Sequence, residues 1–258
     1  MIIVASSHIE ADLYRRRVIH RPFSMTYYLF LLILLVVLMP SVAFSFREVL
    51  VSGLGLPPEA VGSFLLLSLL GSFMNVPVAE VQSRVPMYRM REVRFFGVGL
   101  RVPKLEMGVR RTLVTINVGG ALLPLVVSLY LLFWSIPLKS PDPLLTYVKV
   151  FFVLTVETFV VHRSSRLIKG LGIATPAFVP PVTVALATAF VHLFIGTSCP
   201  TQIAYIGGTL GTLIGADLLN MRKISELGAP MVSIGGAGTF DGIYTTGLIS
   251  VLLVLILT

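Results

Sequence analysis

Charged residues are scarce in this chain of 258 residues. Asp, Glu, Lys and Arg make up 12% of the sequence, whereas 55% of the residues are hydrophobic. An ordinary soluble domain carries roughly 25% charged residues. This shortage of charge argues against a soluble globular domain. Together with a mean hydropathy of +0.92, it predicts an integral membrane protein.

Cysteine is nearly absent as well. Cys199 is the only cysteine, which excludes a disulfide within the chain. The four histidines and this cysteine do not have the spacing of a zinc site. We therefore expect neither a metal nor another cofactor.

Acidic residues are outnumbered by basic ones, 12 against 20, which gives a formal net charge of +8. A basic excess is also found in proteins that bind nucleic acid, but here the basic residues flank apolar runs, where membrane topology accounts for them. We therefore expect these basic residues to lie beside a lipid bilayer and not to bind nucleic acid. The sequence predicts no particular oligomeric state.

Long apolar runs dominate the rest of the chain. A helix needs about 20 apolar residues to cross a bilayer, and seven runs meet or approach that length. Their approximate bounds are 27–46, 61–78, 112–136 and 147–161, then a fifth run ending near 195, a sixth ending near 220 and a seventh ending at the C-terminus. We expect one all-α membrane domain over residues 1–258, with seven transmembrane helices.

The basic residues also predict the orientation of these helices. With the N-terminus in the cytoplasm, all the Lys and Arg residues except Arg47, Lys139 and Lys149 fall on the cytoplasmic side. The C-terminus then lies outside, in a multi-pass protein of the plasma membrane. Residues 1–23 become a cytoplasmic segment and residues 81–111 a basic cytoplasmic loop. Within that loop the partly alternating string REVRFFGVGLRVP predicts a small β-hairpin.

Two aspartates interrupt the last two apolar runs. Asp217 lies in GGTLGTLIGADLLN and Asp241 in MVSIGGAGTFDGIYTTG. A charge in such surroundings costs several kcal/mol, so an acid there indicates a functional site. Both aspartates are predicted near the cytoplasmic side, and they meet if the glycine-rich segment before Asp241 is not helical. We expect them to act as a catalytic pair.

Small and polar residues at the same depth are the predicted substrate-binding residues. Glycines beside the acids would let a substrate backbone approach closely, and two asparagines lie at the cytoplasmic ends of neighbouring spans. The predicted set is Gly235, Gly236, Gly238, Gly242, Asn117 and Asn75.

Four strings carry a resemblance to a known family: NVGGALLP, PAFVPP, IAYIGGTLGTLIGADLLN and SIGGAGTFDGI. They resemble an uncharacterised family of archaeal and bacterial multi-pass membrane proteins with no assigned function, over about residues 60–257. This resemblance implies a shared fold and no activity.

The two aspartates carry a second resemblance, to intramembrane aspartyl proteases of the presenilin and signal peptide peptidase type. Those enzymes place one catalytic aspartate on one span and the second on the next, within a Gly-x-Gly-Asp string. Asp217 and Asp241 match that order, although Ala216 stands where the family has Tyr and Phe240 where it has Gly. The resemblance implies hydrolysis of a transmembrane peptide.

Three functional hypotheses follow. In an aspartyl protease-like hydrolase, one carboxylate activates water and the other protonates the carbonyl. In an ion- or proton-coupled carrier or channel, helices broken at Pro124, Pro176 and Pro180 expose carbonyls to a small ion or solute. In a scaffold without chemistry, Asp217 caps a helix or pairs with Arg222, and Asp241 starts the last span.

The predicted fourth and sixth spans carry two further features. Glu157 lies near His162 and Arg163, which favours an ion pair at the membrane edge over a proton relay. Gly207, Gly211 and Gly215 recur every fourth residue, a spacing that is typical of close helix packing.

Overall fold

The computed structural model describes residue 33 and residues 47–95, 98–168, 172–226, 231–236, 238 and 241–258. The predicted cytoplasmic segment 1–23 and all of the predicted first span, 27–46, except Ile33 lie outside these residues. The residues from Ser45 to Thr258 form one compact unit.

Helices make up most of the described chain. A π-helical turn at Val49–Gly53 precedes six long helices. These are α1 Pro58–Gly71, α2 Val118–Lys139, α3 Pro143–Ser164, α4 Val179–Ile195, α5 Pro200–Thr212 and α6 Gly242–Leu257. They correspond in order to the predicted spans two to seven.

Helix α5 lies at the centre of the bundle. It packs against α3, α4 and α6, and nearly every residue from Thr201 to Thr212 is buried. The main apolar core surrounds it, with Ile203, Ile206 and Tyr205 almost fully enclosed. An apolar helix buried on all sides is typical of the interior of a large bundle.

Glycines set the distance between α5 and α3. A Cβ atom on Gly207 would lie 2.7 Å from Val153 Cγ1, one on Gly211 2.6 Å from Glu157 Cγ, and one on Gly215 2.6 Å from the Thr158 carbonyl oxygen. Real Cβ atoms do not approach other atoms so closely. The prediction that this glycine stripe serves close helix packing is confirmed.

Within the described part of the chain, five strands form two sheets. The first has the order β1-β2-β5, with β1 Asn75–Phe95 antiparallel to β2 Val98–Asn117, and β5 Met231–Ile234 parallel to β2. The second pairs β3 Arg166–Ile168 with β4 Gly172–Ala174. The strands of the β1–β2 hairpin are 21 and 20 residues long.

The observed hairpin corrects the predicted fold class and the bounds of two predicted spans. The hairpin in this region is confirmed, but it is far longer than the short string that indicated it, so the fold is helical with a sheet rather than all-α. The predicted span 61–78 ends as a helix at Gly71, and the predicted span 112–136 begins as a helix only at Val118. Runs rich in Val, Ile and Thr are compatible with an apolar helix or with a buried strand. Here the two segments form strands, because they pair with each other from Asn75 opposite Asn117 onwards.

Asn117 joins this hairpin to the helical bundle. It is fully buried and caps α2, since its Oδ1 accepts a hydrogen bond from the Gly120 N–H at 2.8 Å. Its Nδ2 donates to the Ser72 carbonyl at 2.8 Å and to Asn75 Oδ1 at 3.3 Å. One side chain therefore ties the start of α2 to the end of α1 and the start of β1.

Two of the described helices are long and apolar enough to cross a membrane. They are α2 and α3, each of 22 residues, with mean hydropathies of 2.1 and 1.9. Helices α1, α4 and α6 are apolar but shorter. Large apolar side chains are exposed around the bundle, among them Phe133 at 73%, Phe151 at 69% and Phe194 at 75%.

We predict that Asn117→Ala destabilises the protein by about 2–4 kcal/mol, because it removes a helix cap and leaves buried backbone groups unpaired. Asp142→Ala is the matched control, since Asp142 caps α3 through one exposed bond to the Leu145 N–H. We expect it to cost at most about 1 kcal/mol. Reversible unfolding in detergent measures both, and equal losses would contradict the role given to Asn117.

Candidate functional site

A cavity of about 480 Å³ opens where α5 ends and α6 begins. Strand β5, the glycine turn after it and the segment around β4 complete its wall. The lining residues with polar side chains are Thr175, Thr212, Asp217, Ser233 and Asp241. The two predicted catalytic aspartates therefore share one cavity, at the ends of their helices and beyond the apolar helical segments.

Asp217 reaches the cavity because α5 changes its winding. After Thr212 the chain forms a π-helical turn, Leu213–Asp217, and then a 3₁₀ segment, Leu218–Glu226. π-helical turns occur frequently at functional sites. Among the residues that the structure describes, Asp217 forms no ion pair, so the pairing with Arg222 considered for a scaffold is not observed.

Asp241 reaches the same cavity from a glycine-rich turn. Gly235 and Gly238 have φ angles of 72° and 63°, which lie in the left-handed region and favour glycine. Asp241 then caps α6, with Oδ1 accepting from the Ile243 N–H at 3.0 Å. The expectation that Asp241 starts the last helix agrees with this cap. A helix N-terminus stabilises negative charge.

Asp241 affects the titration of Asp217. Burial and, to a smaller extent, the negative charge of Asp241 together raise the pKa of Asp217 from its ordinary value of 3.8 to about 7. The two carboxyl groups have different environments, because Asp217 is enclosed by the protein whereas Asp241 lies at the N-terminus of α6. Such a difference is what separates an acid from a base in a paired site.

The predicted substrate-binding residues divide into two groups. Gly235, Gly236 and Gly242 line the cavity, whereas Gly238, Asn75 and Asn117 do not. Gly238 packs so closely on Ser72 that a Cβ atom there would lie 2.5 Å from Ser72 Oγ. These three residues support the cavity wall from outside.

The asparagines provide this support through a serine. Asn75 Oδ1 accepts a hydrogen bond from Ser233 Oγ at 2.6 Å and another from Asn117 Nδ2 at 3.3 Å. Ser233 itself lines the cavity. The hydrogen-bonded chain from Asn117 through Asn75 to Ser233 therefore holds β5 against the base of the hairpin.

Sequence reasoning did not identify Thr175, Thr212 and Ser233 as cavity residues. Ser233 stands two residues before the glycine turn, and its position there is a signal that could have identified it. Thr212 follows Gly211, one of the glycines predicted to serve helix packing, and nothing at that position indicates a cavity residue. Thr175 carries no signal in the sequence, because its segment reaches the cavity only through the fold.

Glu157 does not form the predicted ion pair. It is fully buried, and its Oε1 accepts a hydrogen bond from Thr212 Oγ1 at 3.3 Å. His162 contacts the Gly215 carbonyl at 3.3 Å instead. The expectation was wrong because Gly211 leaves space beside α5, and Glu157 occupies that space instead of facing the membrane edge.

No cluster that could hold a metal ion occurs among the described residues, since nowhere do three or more His, Cys, Asp or Glu side chains converge. The chemistry available in the cavity is that of two carboxyl groups with hydroxyl and backbone groups around them.

Comparison with known proteins gives one match. The model of a family described as "Protein of unknown function (DUF1614)" matches residues 69–253, most of the chain. No curated protein and no solved structure matches.

We predict that the thermal stability of the protein in detergent decreases as the pH rises from about 4 to about 7. The folded state holds the Asp217 proton more tightly than the unfolded state does, because its pKa is raised to about 7, so stability is lost as that proton leaves. Scanning fluorimetry across this pH range measures the slope.

Asp217→Asn should remove this part of the pH dependence, because the amide does not titrate. The control is Asp142→Asn, which changes an exposed helix cap far from the cavity and should keep the wild-type slope. An Asp217→Asn protein with an unchanged slope would contradict the prediction.

Proposed function

Because the chain belongs to the DUF1614 family, whose function is unknown, we propose a function from its own cavity. The protein is a multi-pass protein of the plasma membrane that hydrolyses peptide segments with the paired carboxyl groups of Asp217 and Asp241. The observation that carries this proposal is that both aspartates line one cavity and that the charge of one raises the pKa of the other.

The apolar surface of the bundle supports the membrane part of the proposal. At 1.5 Å per residue, α2 and α3 extend about 33 Å, which matches a hydrocarbon core of about 30 Å. Helices α1, α4 and α6 expose apolar side chains such as Leu66, Leu186 and Ile256, and α5 is buried within the bundle. With the predicted first span, they would complete seven crossings, with the aspartate cavity on the cytoplasmic side.

The environments of the two aspartates support the following roles. Asp241, at the N-terminus of α6, is the base that removes a proton from a water molecule as the water oxygen attacks the peptide carbonyl. Asp217 is protonated near neutral pH and gives its proton to the carbonyl oxygen. When the tetrahedral intermediate collapses, Asp241 returns its proton to the leaving amine and Asp217 recovers one from the intermediate. Both acids end in their starting states.

Strand β5 suits an extended substrate. Among the described strands it lies at the edge of its sheet, where β2 is its only neighbour, and Met231, Val232 and Ser233 line the cavity. A peptide can add to such an edge through main-chain hydrogen bonds. Gly235 and Gly236, which follow β5 and line the cavity, have no side chains to block the approach of a peptide backbone.

A proton- or ion-coupled carrier is the second candidate. The observation that favours it is irregular backbone around the cavity, in the π-helical turn that ends at Asp217 and in the glycine turn before Asp241. In membrane proteins such backbone is found where it lines a cavity or a solute path.

We predict that Asp217→Asn and Asp241→Asn each reduce cleavage of a fluorogenic, transmembrane-type peptide by about 10²–10⁴-fold, the usual contribution of an acid–base group. The wild-type rate should also fall above pH 7, because Asp217 then loses the proton it donates. Purified protein in detergent is the sample, with circular dichroism to verify folding.

Asp142→Asn, outside the cavity, should cleave at the wild-type rate. Unchanged cleavage in either cavity variant would reject the hydrolase. Solute or proton flux in liposomes without any cleavage would favour the carrier, and the absence of both activities would favour a scaffold.

We also predict that the substrate binds as a strand. Two peptides of equal composition should differ when a proline is placed beside the scissile bond in one and at a terminus in the other. The first should be cleaved about tenfold more slowly for each main-chain hydrogen bond lost, taking about 1.4 kcal/mol per bond. Equal rates for the two peptides would contradict binding to the β5 edge.

A further inference from the structure

Glu157 is a buried acid that the proposed hydrolysis does not use. It lies on α3, one of the two helices long enough to cross a membrane, and none of its surface is exposed. Its Oε1 accepts a hydrogen bond from Thr212 Oγ1. Its Oε2 is also buried and has no hydrogen-bond partner among the described residues.

No cation neutralises this carboxyl group within the described part of the chain. Lys149 donates to the Gly196 carbonyl at 2.6 Å, and His162 contacts the Gly215 carbonyl. The elements packed against α3 carry other titratable groups, none of which forms a hydrogen bond or ion pair with Glu157. These are Lys139 at the end of α2, Arg163 on α3 itself, His192 on α4, Tyr205 on α5 and Asp217 after α5.

A lone charge in this position would cost several kcal/mol, so the carboxylate has to be accompanied by a proton or a metal cation. A cation would need several oxygen ligands around it. Among the described residues, the carboxyl group has one hydrogen-bond partner, the Thr212 hydroxyl, and Oε2 has none. A bound proton does not need several oxygen ligands around it.

Thr212 connects this buried carboxyl to the cavity. The same threonine that donates to Glu157 also lines the cavity beside Asp217 and Asp241. A hydroxyl group has one proton to donate and two lone pairs that accept. It can therefore receive a proton on one side while giving one on the other.

We propose that Glu157 is a proton-binding site inside the helical bundle and that the Thr212 hydroxyl transfers its proton to and from the aspartate cavity. In the inward step, Thr212 Oγ1 gives its proton to a Glu157 carboxylate oxygen and takes one from a water molecule or a carboxylic acid in the cavity. The donor is left as its conjugate base, so one proton moves and Thr212 is unchanged. The site exists whether the cavity hydrolyses peptides or couples a proton to transport.

Infrared spectroscopy of the protein in lipid nanodiscs tests this proposal without an activity assay. Near neutral pH, the wild type should show a carboxylic acid C=O band that is absent from Glu157→Gln and retained in Asp217→Asn. The Asp217→Asn control separates the band of Glu157 from that of the cavity acid. Circular dichroism verifies that each variant is folded.

Two substitutions at Thr212 test the connection. In Thr212→Val the band should move to higher frequency, because the carboxyl loses its hydrogen bond, and its exchange in D₂O should slow at least tenfold. Thr212→Ser keeps the hydroxyl and should restore both the frequency and the rate of exchange. This pair keeps the test decisive even if Glu157→Gln does not fold.

Three results would overturn the proposal. Identical carboxylic acid absorption in the wild type and in folded Glu157→Gln would mean that Glu157 holds no proton. Equal exchange rates in Thr212→Val and Thr212→Ser would exclude the threonine path. Loss of the wild-type band on adding Na⁺ or K⁺ at constant pH would identify a cation site in place of a proton site. None of these measurements depends on peptide cleavage. They therefore test the proton-binding site separately from the proposed hydrolase activity.

Discussion

The close approach of α5 to α3 is the constraint on which the rest of the bundle depends. It exists because three glycines, Gly207, Gly211 and Gly215, remove the side chains that would otherwise separate the two helices. The same approach makes room for the side chain of Glu157 against Gly211 and brings Thr212 within hydrogen-bonding distance of it. One packing interface thus sets both the depth of the buried acid and the position of the polar residues at the end of α5. Helix packing through small residues, common in membranes, here also determines where polar chemistry can occur.

A second contact of the same kind closes the cavity. The turn after β5 lies against the start of α2, where Gly120 and Ala121 approach Gly235 so closely that neither glycine can carry a side chain. Asn117 fastens this region, since it caps α2 and bonds to the end of α1. The cavity wall is therefore part of a rigid junction of helix ends and strands. Precise placement of two carboxyl groups requires support of this kind.

Some of this arrangement could be predicted from the sequence. Apolar runs located α3, α4 and α6, because hydropathy is a property of the run itself. The meeting of Asp217 and Asp241 could be predicted because Gly235 and Gly238 indicated non-helical backbone before the second acid. In both cases the signal lies in neighbouring residues.

Other features depend on residues far apart in the sequence. The length of the hairpin is decided by pairing between Asn75 and Asn117, and the Val-, Thr- and Ile-rich runs that form it fit a helix equally well. Whether the Glu157 side chain points towards α5 or towards the membrane depends on the rotation of α3 about its own axis. A small change in that rotation turns the side chain to another neighbour. Thr212 and Thr175 reach the cavity only after α5, β4 and β5 have assembled.

The hairpin itself is unevenly supported along its length. At its base β5 adds a third strand opposite Leu113–Ile116, and buried residues such as Val114 and Ile234 form a small core there. Farther out the ribbon has two strands only, and two-stranded ribbons are marginally stable in water. Fraying or proteolytic nicking of the outer ribbon would therefore stop where the third strand begins. The third strand would thus separate the aspartate cavity from damage to the outer part of the hairpin.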